Sequence, residues 1–225
     1  MLGTIVNVAA IIAGGLVGMV LKRGIPDKVK TTVMQGIGLA VVLIGLQMAL
    51  QTRNPLIVIS SLVIGGIIGE FIGIEDKLHK LGLWLEEKVG KDKGEVAKAF
   101  VSTSLIYCVG AMGITGAIED GLNGNSRILF AKAMLDGFSA IIFASTMGMG
   151  VLFSSVPVFL YQGAISLLAG WAAALLSGPV TAEMTATGGL LIVGIGINIL
   201  GIKEIRVGNL LPAIGVAIIF ASLVG

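Results

Sequence analysis

Eight apolar stretches, each at or near the length that crosses a bilayer, leave this chain few ways to fold. A helix needs about 20 predominantly apolar residues to span the hydrocarbon core. The stretches fall at 2–21, 31–50, 56–73, 99–118, 128–153, 156–176, 188–202 and 207–225. The expected fold is therefore all-α: a polytopic transmembrane helical bundle of about eight membrane segments, forming a single membrane domain over 1–225. Charge supports this reading, because only 12% of the 225 residues are Asp, Glu, Lys or Arg, about half the usual share in soluble domains. Thirty-four residues are glycine. They sit inside the apolar runs, where small residues let transmembrane helices approach closely. The N-terminus lacks a basic region and a small-residue cleavage site, so 2–21 is expected to be a retained span.

Basic residues orient such a chain. Lys22, Arg23, Lys28, Lys30, Lys77, Lys80, Lys88, Lys91, Lys93, Lys98, Lys203 and Arg206 fall in one set of loops, and Arg53, Arg127 and Lys132 on the opposite side. Twelve against three puts the 75–98 loop in the cytoplasm and both termini outside, in a cytoplasmic (inner) membrane. Within that loop Leu78, Leu81, Leu85 and Val89 share a helical stripe. This suits either a helix lying on the membrane surface or a solvated connector.

The first three stretches resemble the last three. Asn7 aligns with Gln162, Gly38 and Gly45 with Gly189 and Gly196, and Asn54 with Asn209, at offsets of 155, 151 and 155. Half one covers 1–73, a charged connector 74–98, the central segments 99–153 and half two 154–225. Five segments separate each element from its partner, so the partners cross in opposite directions. An inverted-topology repeat of this kind is the architecture of many secondary transporters, whose site lies near the midplane between the halves. Segments two and seven look short and glycine-interrupted, at 36–50 and 188–202, and each carries one amide, Gln47 and Asn198. Those amides either contact a ligand or hydrogen-bond across helices; if they face each other, they lie at similar depth.

The central segments are the least ordinary. Gly110, Gly113 and Gly116 lie within seven residues, and Ser145-Thr146-Met147-Gly148 precedes Gly150. Glycine weakens a helix by about 1 kcal/mol relative to Ala, and unwound backbone at membrane depth is tolerated only beside protein or a water-filled cavity. Broken or re-entrant helices are expected here. Gly14-xxx-Gly18 and Gly65-xxx-Gly69 are read instead as packing faces. Glu70, Lys132 and Asp136 are the ionisable residues inside the expected spans. Lys132 and Asp136 are one helical turn apart and can neutralise each other, either as an interfacial pair near the outer end or as part of an interior site.

Tyr107-Cys-Val-Gly110-Ala-Met-Gly-Ile-Thr-Gly116-Ala-Ile-Glu-Asp120-Gly, then Lys132-xxx-Asp136-Gly, Phe143-Ala-Ser145 and Tyr161-Gln162-Gly163, resemble the signature of domain-of-unknown-function family 554. These are bacterial and archaeal integral membrane proteins of the YdfK/YqgA type. Ala111 and Gly113 stand where that signature leads one to expect Pro and Ala. The resemblance implies a multi-span inner-membrane protein and no settled activity.

The leading functional expectation is a secondary transporter, ion-coupled or facilitative, for a small polar solute or ion. Its candidate binding residues are Gln47, Ser102, Thr103, Gly110, Gly113, Asp120, Asp136, Ser145, Thr146, Gln162 and Asn198. A channel is the nearest alternative. A scaffold without a ligand, possible but less attractive in a chain with no soluble domain, is another. An intramembrane enzyme is disfavoured: His79 is the only histidine, Cys108 the only cysteine, and Asp120 and Asp136 lie near the membrane edge. There are no expected catalytic residues, no metal ligands and no cofactor. The lipid bilayer is the expected partner, together with an unknown small solute or cation; nucleic acid is not, at a net charge of +2. A homo-oligomer remains open.

Overall fold

The computed structural model describes residues 1–22, 26–77, 80, 84, 87, 95–108, 111–175 and 178–224. All regular structure among them is helical. In chain order the helices are α1 (Leu2–Lys22), α2 (Asp27–Ala49), α3 (Pro55–Ile72), α4 (Glu95–Cys108), α5 (Ala111–Asn123), α6 (Arg127–Met147), α7 (Gly150–Phe153), α8 (Ser155–Leu167), α9 (Ala169–Leu175), α10 (Gly178–Leu200) and α11 (Pro212–Val224), with a 3-10 turn at Val207–Leu210. Most of the expected surface helix in the 75–98 loop, and Gly110, lie outside the described residues.

Six of these helical runs are long and apolar enough to cross a membrane, and a seventh crossing arises if α4 and α5, which meet at a 60° bend, form one span. The last stretch is a shorter apolar run, Val207–Leu223. The count of eight full-length spans is thus not confirmed. Large apolar side chains cover the outer helix faces, with Phe71 89%, Trp171 87% and Leu50 81% exposed. A surface of that kind is stable against lipid tails and not against water.

The chain packs as two compact units, and both halves of the expected repeat contribute to each. The first unit holds α1, α4, α6, α7 and α8, nearly all of α5 and most of α9. Here α1 lies parallel to α6: the Cα of Gly14 faces the Gly137 carbonyl, and that of Gly18 faces the Ile141 carbonyl. A methyl group at either position would run into backbone, so the packing reading of Gly14-xxx-Gly18 holds. Against α8, helix α1 is antiparallel, bringing Asn7 to Gln162.

In the second unit α2 and α10 pack antiparallel. Gly45 meets Gly189, and Gly196 meets the Gly38 carbonyl. Helix α3 runs antiparallel to α11, with Gly65 against Ala213 and a core of Ile57, Val180 and Ala221 covered by Ile218 and Phe220. Local signals set the ends of α3. Asn54 caps its first turn, accepting from Leu56 N at 3.2 Å, Pro55 occupies the first position, and Gly73 closes it with φ +67°.

Segments two and seven correct the expectation of short, interrupted helices. Each is one continuous helix of 23 residues. Gly38, Gly45, Gly189 and Gly196 do not break them because these four are used for close approach to the partner helix, which returns packing energy for the lost propensity. Segment five does break as expected, ending at Met147, where Gly148 takes φ +86°.

Candidate functional site

Four polar side chains from three helices of the first unit meet in its interior. Asp136 lies midway along the 21-residue α6, and Lys132, one turn earlier, reaches its Oδ2 at 2.7 Å. From α1, the Asn7 amide donates to the same Asp136 oxygen at 3.0 Å and to Gln162 Oε1 of α8 at 3.2 Å. Asn7 and Gln162 are fully buried, and Lys132 and Asp136 are each only 7% exposed. An ion pair taken out of water persists only with good geometry and added hydrogen bonds, and Asn7 supplies one. Asp136 sits midway along α6 and both side chains are buried, so the pair packs against protein and not on an exposed face.

Gly113 of α5 closes one side. A β-carbon there would stand 3.4 Å from Lys132 Cε and 3.8 Å from Gln162 Nε2. On the other side Tyr107 is buried, stacks edge-on against Phe143 at 6.4 Å and accepts a long hydrogen bond of 3.5 Å from Ser139 Oγ. Two atoms of the cluster have no hydrogen-bond partner among the described residues: Asn7 Oδ1, an acceptor, and Gln162 Nε2, a donor. Together they present one hydrogen-bond acceptor and one donor beside a neutralised charge pair.

Of the expected site residues, Asp136, Gln162 and Gly113 come together here. Ser102 is buried on α4. Thr103, Ser145 and Thr146 turn their hydroxyls back on the carbonyls of Ala99, Ile142 and Phe143 in their own helices. Asp120 lies at the end of the unit, bound by Ser126 Oγ at 2.5 Å and the Met1 ammonium at 2.6 Å.

Gln47 and Asn198 belong to the second unit and do not face each other. Antiparallel packing of α2 and α10 sets them at opposite ends of that pair, Gln47 exposed and Asn198 pinning Ile205 through both backbone groups at 2.7 and 2.8 Å.

Three residues of interest were not on the sequence list. Asn7 was visible as the repeat partner of Gln162, and Lys132 as the neighbour of Asp136. Glu183 was missed because segment seven was started at Gly188. It is 3% exposed within α10 and accepts from Thr52 Oγ1 at 2.6 Å, Arg53 N at 2.6 Å and Asn54 N at 3.0 Å. The signal was Pro179, a first-turn proline that marks an earlier helix start.

The family described as "Protein of unknown function (DUF554)" matches residues 2–222. The "Uncharacterized membrane protein YdfK" of Bacillus subtilis (strain 168) is 36% identical over 219 residues, covering 95% of this chain and 93% of the relative. The "Uncharacterized protein YqgA" of Escherichia coli (strain K12) is 30% identical over 223 residues, again 95% and 93% of the two chains. No solved structure matches.

Proposed function

We propose, from the premise that this chain belongs to the DUF554 family of proteins of unknown function, that it is a small secondary transporter for a small polar solute or ion. The observation that carries the reading is the buried Asn7–Lys132–Asp136–Gln162 cluster with its unpartnered acceptor and donor. Polar groups at membrane depth are costly to keep, and in such helices they mark substrate or ion pathways. A purely structural cluster tends to satisfy all its members.

The pairing of elements supports an inverted repeat. Asn7 and Gln162 align at an offset of 155 and bond to each other, as two residues on a pseudo-two-fold axis do. Gly38–Gly196 and Gly45–Gly189 are each other's images under the 151 offset. A site on such an axis is where this architecture places its ligand. The basic-residue asymmetry orients both termini outward in the cytoplasmic membrane. We read the chain as a carrier and not an enzyme.

The test is flux of a panel of small polar solutes and inorganic ions in proteoliposomes, with and without proton and sodium gradients. Saturable flux of one panel member, lost in Asn7→Leu and in Gln162→Leu, supports the reading. Flux unaffected by both substitutions, or none for the whole panel from folded protein, overturns it.

A further inference from the structure

The interface that carries Asn7 and Gln162 holds more polar groups than its packing uses. One turn before Asn7, on the same face of α1, Thr4 is fully buried and its Oγ1 has no protein partner. One turn after Gln162, on the same face of α8, Ser166 is 5% exposed and its Oγ is also without one. The helices are antiparallel in register at the Asn7–Gln162 bond. Moving back along α1 and forward along α8 therefore leads to the same end of the unit. Thr4 is about 4.5 Å and Ser166 about 6 Å further along from that bond at 1.5 Å per residue. That end carries Asp120: the position of a β-carbon on the neighbouring Gly121 falls against the Ser166 carbonyl.

Four buried groups, Thr4 Oγ1, Asn7 Oδ1, Gln162 Nε2 and Ser166 Oγ, thus line one interface at one-turn spacing, each lacking a partner among the described residues. A dry orphan of this kind costs about 1–3 kcal/mol, and four in a file is a heavy load on a marginally stable fold. Hydrogen-bonding occupants remove that cost.

We infer that this file is a hydrated entry route from the Asp120 end of the unit to the Asn7–Gln162 site, and that it passes small uncharged solutes with both a donor and an acceptor. The uncharged class follows from the lining, which is hydroxyls and amides, and from Asp136, whose charge Lys132 already neutralises at 2.7 Å. Asp120 at the end of the file is likewise paired, with the Met1 ammonium at 2.6 Å, so a free ion entering there meets charges that already have partners. The solute class rests on the transport reading above; the hydration of the route does not.

Cysteine reactivity tests the route without asking for transport. Thr4→Cys and Ser166→Cys are made separately in a Cys108→Ser background and exposed to methyl methanethiosulfonate, a small uncharged thiol reagent, in proteoliposomes. Val158→Cys and Ala140→Cys, fully buried apolar positions of the same unit, are the comparators. A wet thiol reacts roughly tenfold or more faster than one in apolar surroundings, where burial suppresses the thiolate. Rates at Thr4 and Ser166 exceeding the comparators by that factor are expected, and equal rates overturn the route. If one variant fails to fold, the other decides. A labelled route with no solute flux rejects the transport reading and keeps the route; flux with unreactive thiols does the reverse.

Discussion

Asp136 shares one oxygen between an ammonium and an amide, and that arrangement makes the first prediction two-sided. Asp136→Asn leaves Lys132 buried without its counter-charge, a loss of about 3–5 kcal/mol where a buried pair is broken. A lower melting temperature in detergent and lost flux are both expected. The double change Lys132→Gln with Asp136→Asn removes both charges, so stability returns while flux stays absent. Full flux in the double variant means the pair is structural only. At Glu183 the reasoning concerns hydrogen bonds. Three donors from the α2–α3 turn converge on its carboxylate, and bonds to a charged group are each worth about 1.5–3 kcal/mol. Glu183→Gln keeps one oxygen for the two backbone donors, forces the Thr52 hydroxyl to accept where it now donates, and removes the charge that strengthens all three bonds. It should lower the melting temperature more than Glu70→Gln, whose carboxylate is exposed to solvent beside its Arg206 partner. Equal melting shifts for the two variants contradict this.

At the scale of elements, glycine has opposite uses in neighbouring helices. In α1 it is contact surface, so Gly18→Val must push α1 off the Ile141 carbonyl of α6. Overpacking of this kind costs about 1–3 kcal/mol. The same substitution at Gly170, where nothing lies within 4 Å, should leave the melting temperature nearly unchanged; a drop equal to that of Gly18→Val counts against helix contact as the cause. At Gly148 glycine is a break, with φ +86° and ψ −150°, a region essentially closed to side chains at about 1–3 kcal/mol. Gly148→Ala should destabilise although it adds only a methyl group, which a thermal melt will read directly. Two turns in the second unit are held by acids distant in sequence: Glu183 holds 52–54, while Glu75 of the connector and Glu70 of α3 hold Gly208 and Asn209 at 2.6 Å each. Such reciprocal latching joins each half to the other at the entrance to its third helix.

For the whole molecule, the prediction is topology. Cysteines at Asn123 and Lys203 in a Cys108→Ser background should react with an impermeant reagent from opposite sides of the membrane, Asn123 from outside. The basic-residue asymmetry requires it. Labelling of both from one side removes the inverted orientation of the two halves, and with it the two-fold relation between Asn7 and Gln162.

Apolar length by itself determined that the chain is a helical membrane protein, because twenty consecutive residues without charge have no other stable place. The sequence alignment that set Asn7 beside Gln162 is met by a contact between those two side chains, whose amides lie 3.2 Å apart. The break at Gly148 could be read because a glycine-rich run weakens a helix through a few adjacent residues. The continuity of α2 and α10 could not. A glycine inside an apolar helix weakens it in isolation and strengthens it against a partner, and only the partner's position gives the sign. The same holds for Lys132 and Asp136. Sequence spacing put them on one helix face, but whether that face met water, lipid or an amide of α1 was decided by tertiary packing, since side chains more than a hundred residues away supply the hydrogen bonds that let a charge pair stay buried.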